Sequence, residues 1–259
     1  MTATNLLGKT ALVCGASQGI GHAIARALAK DGCRIIALAR SETKLQSLMD
    51  ELPGKDHRMM VADLMDLEAI AAAIEEHQKS GPIHILINNT GGPAPGPILE
   101  AGEDTFISAF QQHILAANTL VKELIEGMKA SGYGRIINII STSVKVPIAN
   151  LGVSNTIRGA MANWAKTLSQ EAGPFGITVN NILPGFTKTP RLANLLTNTS
   201  KKLGKSEDEV RQTWYQTIPA RRFAEPEEVA AAAAFLASPA AGYINGINLP
   251  VDGGRTGCL

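Results

Sequence analysis

The amino-acid sequence predicts an α/β fold, a doubly wound, seven-stranded parallel sheet with helices on both faces. Seven short segments are apolar on mostly consecutive residues, which is typical of parallel strands that are covered on both faces. Segments with apolar residues at three- and four-residue spacing, which is typical of amphipathic helices, alternate with them. A series of such strand–helix units implies right-handed crossovers within one sheet. Because no low-complexity linker divides the chain, residues 1–259 are predicted to form a single domain.

The predicted strands follow one another along the whole chain. They are Thr10–Cys14, Arg34–Ala39, His57–Val61, Ile83–Ile87, Arg135–Ile140, Ile177–Leu183 and Ile247–Val251. Helical patterns separate the first four of them, over Ile20–Leu28, Leu45–Leu52 and Leu67–Ile74. Glycine or proline follows each of these patterns within a few residues, as expected where a helix ends.

Composition and charge exclude several classes of partner. The chain contains 24 Lys and Arg against 23 Asp and Glu, a formal net charge of +1. Such a balance gives no overall electrostatic attraction to nucleic acid or to anionic lipid. We therefore expect no nucleic-acid partner.

Cysteine and histidine usage argues against structural cross-links and metal sites. The three cysteines, Cys14, Cys33 and Cys258, form no C-x-x-C pair, and the five histidines lack the spacing of metal ligands. The segment Met1–Lys9 does not have the basic and apolar stretches of a targeting signal. The longest apolar run, Val229–Ala237, is too short to span a bilayer. We expect no bound metal, no membrane association and a cytoplasmic location.

Three glycines follow the first predicted strand at G-x-x-x-G-x-G spacing. Gly15, Gly19 and Gly21 stand between that strand and the first helical pattern. Glycine is needed where a backbone turns sharply and approaches a pyrophosphate, whose charge then meets the free N–H groups of a helix N-terminus. The spacing is also compatible with a tight structural turn, so by itself it indicates a dinucleotide site without establishing one.

Several ordered motifs together resemble those of the short-chain dehydrogenase/reductase family, in particular its 3-oxoacyl-(acyl-carrier-protein) reductase branch. The glycine motif matches the family's T-G-x-x-x-G-x-G, with Cys14 in place of threonine. The family's N-N-A-G appears as Asn88–Gly91, its P-G as Pro184–Gly185, and its closing motif as Asn245–Gly254. The resemblance covers essentially the whole chain. It implies a Rossmann-like fold, an NAD(P) cofactor, and a small-molecule or acyl-thioester substrate, either a 3-oxoacyl or a small keto compound.

The resemblance also assigns the cofactor-binding residues. They are Gly15, Ser17, Gln18, Gly19, Ile20, Gly21, Arg40, Ser41, Asp63, Leu64, Asn89, Gly91, Pro184, Gly185, Thr187 and Thr189. The family places a carboxylate such as Asp63 against the adenine amino group, although this residue is also suited to cap the helix that follows. In this family, helices over 114–130 and 154–172 build a homodimer or homotetramer, which we expect here.

The end of the second predicted strand bears on the choice of cofactor. Residues 37–41 contain no acidic side chain to hold a ribose 2′-hydroxyl. Arg40 stands where a helix is about to begin, a position that the helix dipole makes unfavourable for a cation. A bound 2′-phosphate would give its guanidinium a charge-assisted partner. We therefore expect NADP rather than NAD, with an ordinary solvated arginine as the alternative.

The catalytic residues of the family are largely replaced in this sequence. Ser141 fits the family's serine, but the Y-x-x-x-K pair has become S-x-x-x-R at Ser154 and Arg158. His113 occupies the position of the family's helix asparagine. A phenol has a pKa of ~10, whereas the pKa of a serine hydroxyl is far higher and close to that of water, so serine gives up its proton much less readily. Because arginine cannot relay a proton, we do not expect Ser154 to act as the family's general acid.

Other side chains are candidates for the missing proton donor. His113 is expected to titrate near neutrality and to donate a proton directly or through water, unless it is a structural histidine bonded within its helix. Lys145 is expected on the loop that borders the substrate, where it could polarise a carbonyl, with a solvated surface lysine as the alternative. Ser141 could donate a hydrogen bond to a developing oxyanion.

Two functions of different classes follow from these residues. The first is an NADP-dependent oxidoreductase with an altered acid/base set, in which residues 191–222 form a substrate lid or, alternatively, a surface excursion. The second is a catalytically impaired homologue that binds nucleotide for a regulatory or structural role. The retained glycine loop, Asn89, Gly91 and Pro184–Gly185 favour the first, whereas the S-x-x-x-R change favours the second.

Overall fold

The structure, a computed structural model, describes residues 5–258. Within them, seven strands form one parallel sheet. The strands are β1 Thr10–Cys14, β2 Arg34–Ala39, β3 Arg58–Val61, β4 Ile85–Asn89, β5 Gly134–Ile139, β6 Ile177–Pro184 and β7 Asn248–Val251. The predicted domain bounds also include residues 1–4 and 259, which lie outside the described part of the chain, as does the start of the segment Met1–Lys9.

Helices connect the strands. They are α1 Gly19–Lys30, α2 Glu42–Glu51, α3 Leu67–Gln78, α4 Glu103–Phe110, α5 Ala116–Ala130, α6 Gly152–Ala172, α7 Pro190–Leu203, α8 Glu207–Gln216 and α9 Pro226–Ala237. No helix in residues 5–258 combines the length and the apolar character that crossing a membrane requires.

The strand order is β3-β2-β1-β4-β5-β6-β7. The chain therefore winds in one direction from β1 to β3 and in the other from β4 to β7. The carboxyl ends of β1 and β4, which are neighbours in the sheet, separate the two halves. The place where the winding direction reverses is called the switch point, and in open parallel sheets ligands bind there. The predicted doubly wound α/β fold is confirmed.

Both faces of the sheet are covered because strand residues alternate between two apolar clusters. Val13 and Ile87 pack with α1 and α9 on one face. Leu12 and Leu86 pack with α3 and α5 on the other. The nearly unbroken apolar runs of the strands are explained by this burial on both sides.

The fourth strand begins and ends two residues later than predicted. Asn88 and Asn89 continue the ladder with β5. The side-chain amide of Asn88 donates to Asn138 at 2.8 Å, Asn138 donates to Asn181 at 2.8 Å, and Asn181 donates to Asn248 at 2.8 Å. This row of amides crosses four strands and lets polar residues lie inside the sheet without losing hydrogen bonds.

Residues 191–222 contain most of α7 and all of α8. An aromatic cluster fixes them to the segment after β6, since the rings of Phe186 and Trp214 stack with centroids 4.9 Å apart. Phe223 packs against both of these rings. The N-terminal end of this stretch lies beside the carboxyl edge of the sheet.

Candidate active site

A cleft of about 670 Å³ opens at the carboxyl edge of the sheet, over the switch point. It brings together fifteen of the predicted cofactor residues: Gly15, Ser17, Gln18, Gly19, Ile20, Arg40, Ser41, Asp63, Leu64, Asn89, Gly91, Pro184, Gly185, Thr187 and Thr189. Three predicted catalytic residues, Ser141, Ser154 and Arg158, line the same cleft. Gly21, His113 and Lys145 are not among its lining residues.

The glycine loop at one end of the cleft requires its glycines. Gly15 and Gly19 have φ of +61° and +59°, in the left-handed region that side chains disfavour. A Cβ at Gly21 would lie 2.3 Å from the carbonyl oxygen of Gly15. The first turn of α1 therefore approaches the loop as closely as backbone allows, which suits a site where N–H groups must face a phosphate.

Asn89 ties this loop to the neighbouring strand. Its side-chain amide donates to the carbonyl oxygens of Cys14 and Gly15 at 3.2 and 3.4 Å. No side chain caps the N-terminus of α1, because the side chain of the N-cap residue Gln18 makes no capping hydrogen bond. Gln18 instead accepts a hydrogen bond from the ammonium of Lys44 at 2.8 Å. The opening turn of α1 thus keeps its N–H groups available for an anion.

Cationic groups gather at the end of β2. Arg40 is 78% exposed and lies 3.6 Å from a carboxylate oxygen of Asp63. Asp63 also accepts a hydrogen bond from the backbone N–H of Met65 at 3.0 Å. The helix that follows is capped by Asp66, so the alternative role of Asp63 as its N-cap is wrong. Lys44, on the first turns of α2, joins Arg40 in the cleft wall.

Sequence reasoning did not single out Lys44. The spacing of the two residues could have indicated it, because Lys44 follows Arg40 by four residues and a helix begins between them. Both cations line the cleft. Two cations at this position suit a 2′-phosphate better than a 2′-hydroxyl.

The residues in place of Y-x-x-x-K lie one turn apart on α6. Ser154 and Arg158 are both buried. Arg158 donates to the carbonyl oxygen of Ile139, the last residue of β5, at 3.1 Å. Burial, followed by repulsion from Arg191, lowers the pKa of Arg158 to about 10, so it remains a cation at neutral pH. Ser141 caps a short turn and accepts from the backbone N–H of Ser143 at 3.1 Å.

His113 lies behind the cleft, on a π-helical segment at Gln111–Leu115 that leads into α5. Its Nδ1 is hydrogen-bonded to the hydroxyl of Thr90, and its buried Nε2 has no partner among the described residues. A small cavity of about 10 Å³, lined by His113, Thr90 and Arg158 among others, lies beside it. Such a volume accommodates about one water molecule.

The expectation that His113 titrates near neutrality is wrong. Burial is the largest cause of a pKa lowered to about 3, and the positive charges of Arg158 and Arg191 lower it further. His113 is therefore a neutral imidazole under physiological conditions. It can donate a hydrogen bond from one ring nitrogen but does not store a proton for release.

The structure does not bring Lys145 into the cleft wall. It ends the short turn after Ser141, and its carbonyl oxygen accepts from the thiol of Cys258 at 4.0 Å. The prediction that its ammonium polarises a substrate carbonyl therefore gains no geometric support.

A third arginine, which the sequence motifs did not predict as a site residue, also lines the cleft. Arg191, in the first turn of α7, donates to the carbonyl oxygens of Gly92 and Pro93 at 3.0 and 3.5 Å. These acceptors are nearly a hundred residues away in sequence, so only the folded chain reveals the contact. Arg191 holds the start of α7 against the loop that follows β4.

Comparison with known proteins gives concordant relatives. The family model described as enoyl-(acyl carrier protein) reductase matches residues 15–256. The 3-oxoacyl-[acyl-carrier-protein] reductase FabG of Vibrio cholerae is 35% identical over 254 residues, covering 96% of this chain and 98% of its own length. The NADPH-dependent reductase BacG of Bacillus subtilis is 33% identical over 251 residues, with 95% and 97% covered.

A solved structure agrees with these relatives. The L-sorbose reductase of Gluconobacter frateurii, complexed with NADPH and L-sorbose, superposes with a TM-score of 0.93 at 32% identity, covering 100% of each chain.

Proposed function

Because the chain belongs to the short-chain dehydrogenase/reductase family, in its 3-oxoacyl-(acyl-carrier-protein) reductase-like branch, we propose that it is an NADP(H)-dependent oxidoreductase. It transfers a hydride between the nicotinamide and a carbonyl or alcohol substrate, either a 3-oxoacyl compound or a small keto compound. The NADPH-dependent relatives BacG and L-sorbose reductase support this cofactor, as do Arg40 and Lys44 at the end of β2.

One observation carries the proposal. Gly15, Gly19 and the side chains of Ser141, Ser154 and Arg158 line one continuous cleft. A scaffold that had lost its chemistry would have no need to keep a phosphate cradle and buried polar side chains in the same cavity. The cradle fits a dinucleotide, because its glycines add no side chains to the loop and no side chain caps the N-terminus of α1.

The bound cofactor supplies the hydride, and this chain's residues position and stabilise the reacting carbonyl. The hydroxyls of Ser141 and Ser154 donate hydrogen bonds to the carbonyl oxygen, and Arg158 stabilises the negative charge that develops there. The proton that completes the alcohol reaches this oxygen from water. His113, a neutral imidazole, orients a water molecule in the small cavity beside Arg158.

The remaining expectations from the family extend this proposal. Residues 191–222, with α7 and α8, form the substrate lid, and Arg191, Leu192 and Leu195 of α7 line the cleft. The subunits assemble into a homodimer or homotetramer through α5 and α6.

The S-x-x-x-R change favours two competing functions. A catalytically impaired homologue would bind nucleotide without turnover. A reductase acting on a carbon–carbon double bond conjugated to a carbonyl, the reaction class named in the family description, would add a hydride from the cofactor at the β-carbon. A cation would stabilise the resulting enolate, whose α-carbon would then take a proton from water. The buried Arg158, a permanent cation that does not relay a proton, favours this second alternative over the impaired homologue.

The experiment that tests the proposal is a binding titration followed by turnover. NADPH fluorescence is titrated with protein, and NADPH oxidation is then followed over ketones, 3-oxoacyl thioesters and enones. We expect tight NADPH binding and oxidation with at least one carbonyl compound. NADPH binding without oxidation by any compound would favour the impaired homologue, whereas oxidation by enones alone would favour the alkene reductase.

A further variant separates loss of the proton donor from loss of the whole site. The double substitution Ser154→Tyr with Arg158→Lys restores the family's pair at these positions. If the unchanged chain is inactive and the double variant is active, only the acid had been lost.

A further inference from the structure

Two guanidinium groups line the cleft near the predicted catalytic serines, and neither has an acidic partner within the described part of the chain. Arg158 and Arg191 both line the cleft. Among residues 5–258, no carboxylate lies within ion-pair distance of either. Four other arginines do have such partners: Arg26, Arg40, Arg211 and Arg222. The cleft therefore carries uncompensated positive charge close to the predicted catalytic serines.

Arg158 also has unused hydrogen-bond donors. A guanidinium has five N–H donors, yet among the described residues this one donates only to the carbonyl oxygen of Ile139. Arg135 is buried to a similar extent, but it is satisfied by three carbonyl oxygens and packs against the ring of Tyr133. The difference is that Arg158 faces a cavity. Its remaining donors are therefore available to a ligand in the cleft.

Electrostatics point to the charge of that ligand. Arg191 is held against the loop at Gly92 and Pro93. From there its charge is close enough to lower the pKa of Arg158. Arg158 is buried and neither cation has a counterion among the described residues, so water only partly screens their mutual repulsion. An anion bound by both guanidinium groups would offset this repulsion and would accept charge-assisted hydrogen bonds from them.

We infer that the substrate of this cleft is an oxo acid, whose carboxylate is held between Arg158 and Arg191 while its carbonyl oxygen faces Ser141 and Ser154. The inference rests on the proposed reductase function and deepens it by naming the substrate class. Carboxylates match the planar fork of arginine better than a neutral ketone or a sugar hydroxyl does.

The cofactor's diphosphate is the other anion that could reach Arg191. The test therefore loads the protein with saturating NADP⁺ before any carboxylate is added. The probes are oxamate, malonamate and succinamate, whose amide carbonyl mimics the reacting group at three distances from the carboxylate and does not accept hydride. The matched neutral probes are their methyl esters. Binding is measured by isothermal titration calorimetry.

We expect at least one of the three anions to bind at least tenfold more tightly than its ester. Arg191→Gln should weaken that anion at least tenfold and change the dissociation constant of NADP⁺ less than twofold. The matched control is Arg211→Gln, which removes one positive charge from the same lid but not from the cleft, and it should leave both constants unchanged.

Each opposite result overturns the inference. If every anion binds with the same affinity as its ester, the cleft has no site that selects a carboxylate. Weakened NADP⁺ binding by Arg191→Gln, with anion affinity retained, places Arg191 at the cofactor instead. Neither result contradicts the proposed function. That function is contradicted only if NADP⁺ does not bind or if no carbonyl compound is reduced.

Discussion

Arg158 donates a hydrogen bond to the carbonyl oxygen of Ile139 at 3.1 Å, which fixes a buried cation at the end of β5. The motif resemblance predicts that this residue stands at the position of the family's lysine. A guanidinium at that position keeps the positive charge but does not exchange a proton. The chemistry proposed for this cleft depends on this predicted replacement of lysine by arginine and of tyrosine by Ser154.

Replacing Arg158 by methionine should separate stability from activity. Arg158 is only 7% exposed and lacks a counterion among the described residues, so its burial costs free energy. We expect Arg158→Met to leave the free energy of unfolding unchanged or to raise it by about 1–4 kcal/mol, and to lower kcat by about 10²–10³-fold. Urea denaturation and NADPH oxidation measure the two effects. A variant that is destabilised by several kcal/mol would show that Arg158 is a structural residue.

Gly21 is the most sensitive position of the phosphate cradle. A Cβ there would lie 2.3 Å from the Gly15 carbonyl oxygen and 2.7 Å from the Asn89 amide nitrogen, so backbone must shift. We expect Gly21→Ala to weaken NADPH binding at least tenfold in a fluorescence titration. Gly159→Ala is the matched control, because nothing lies within 4 Å of its added Cβ on α6. The control should retain binding and gain up to about 1 kcal/mol of stability.

Arg40 should determine the preference for the phosphorylated cofactor. Hydrogen bonds to charged groups contribute about 1.5–3 kcal/mol, which corresponds to roughly 10- to 100-fold in affinity. We expect Arg40→Gln to weaken NADPH binding by this factor and to change NADH binding less than threefold. Arg26→Gln, which removes an exposed cation of α1 that pairs with Glu51 of α2, is the control. Equal losses for both nucleotides would contradict a role at the 2′-phosphate.

His113 should make stability depend on pH. Its pKa is about 3 in the folded chain against an ordinary value of 6.5, so below pH 6.5 the unfolded chain binds the extra proton. The stability it contributes is present above pH 6.5 and is lost as the pH falls, by about 2–3 kcal/mol down to about pH 4.5. His113→Asn should flatten this part of a urea-midpoint profile. Parallel profiles for the two proteins would contradict the shift.

The sequence was sufficient for the fold and for the glycine loop. Buried strands and amphipathic helices are encoded locally, and the three glycines sit within seven residues of one another. Local sequence patterns did not predict the features that depend on contacts between distant segments. The fourth strand continues through Asn88, whose side chain bonds to Asn138 of the neighbouring strand. Arg191 is held at the cleft by its contact with Gly92, nearly a hundred residues away. Local patterns reveal neither contact. The pKa of His113 depends on burial and two distant arginines, which no spacing reveals.

The central claim is that this cleft transfers hydride with Ser154 and Arg158 at the positions that the motif resemblance assigns to the family's tyrosine and lysine. The most direct measurement uses NADPH deuterated at the transferring C4 position, mixed with the protein and a panel of oxo acids and neutral ketones, with products analysed by mass spectrometry. We predict one deuterium at the former carbonyl carbon of a product, and none without protein. Tight NADPH binding with no deuterium in any product would contradict the claim.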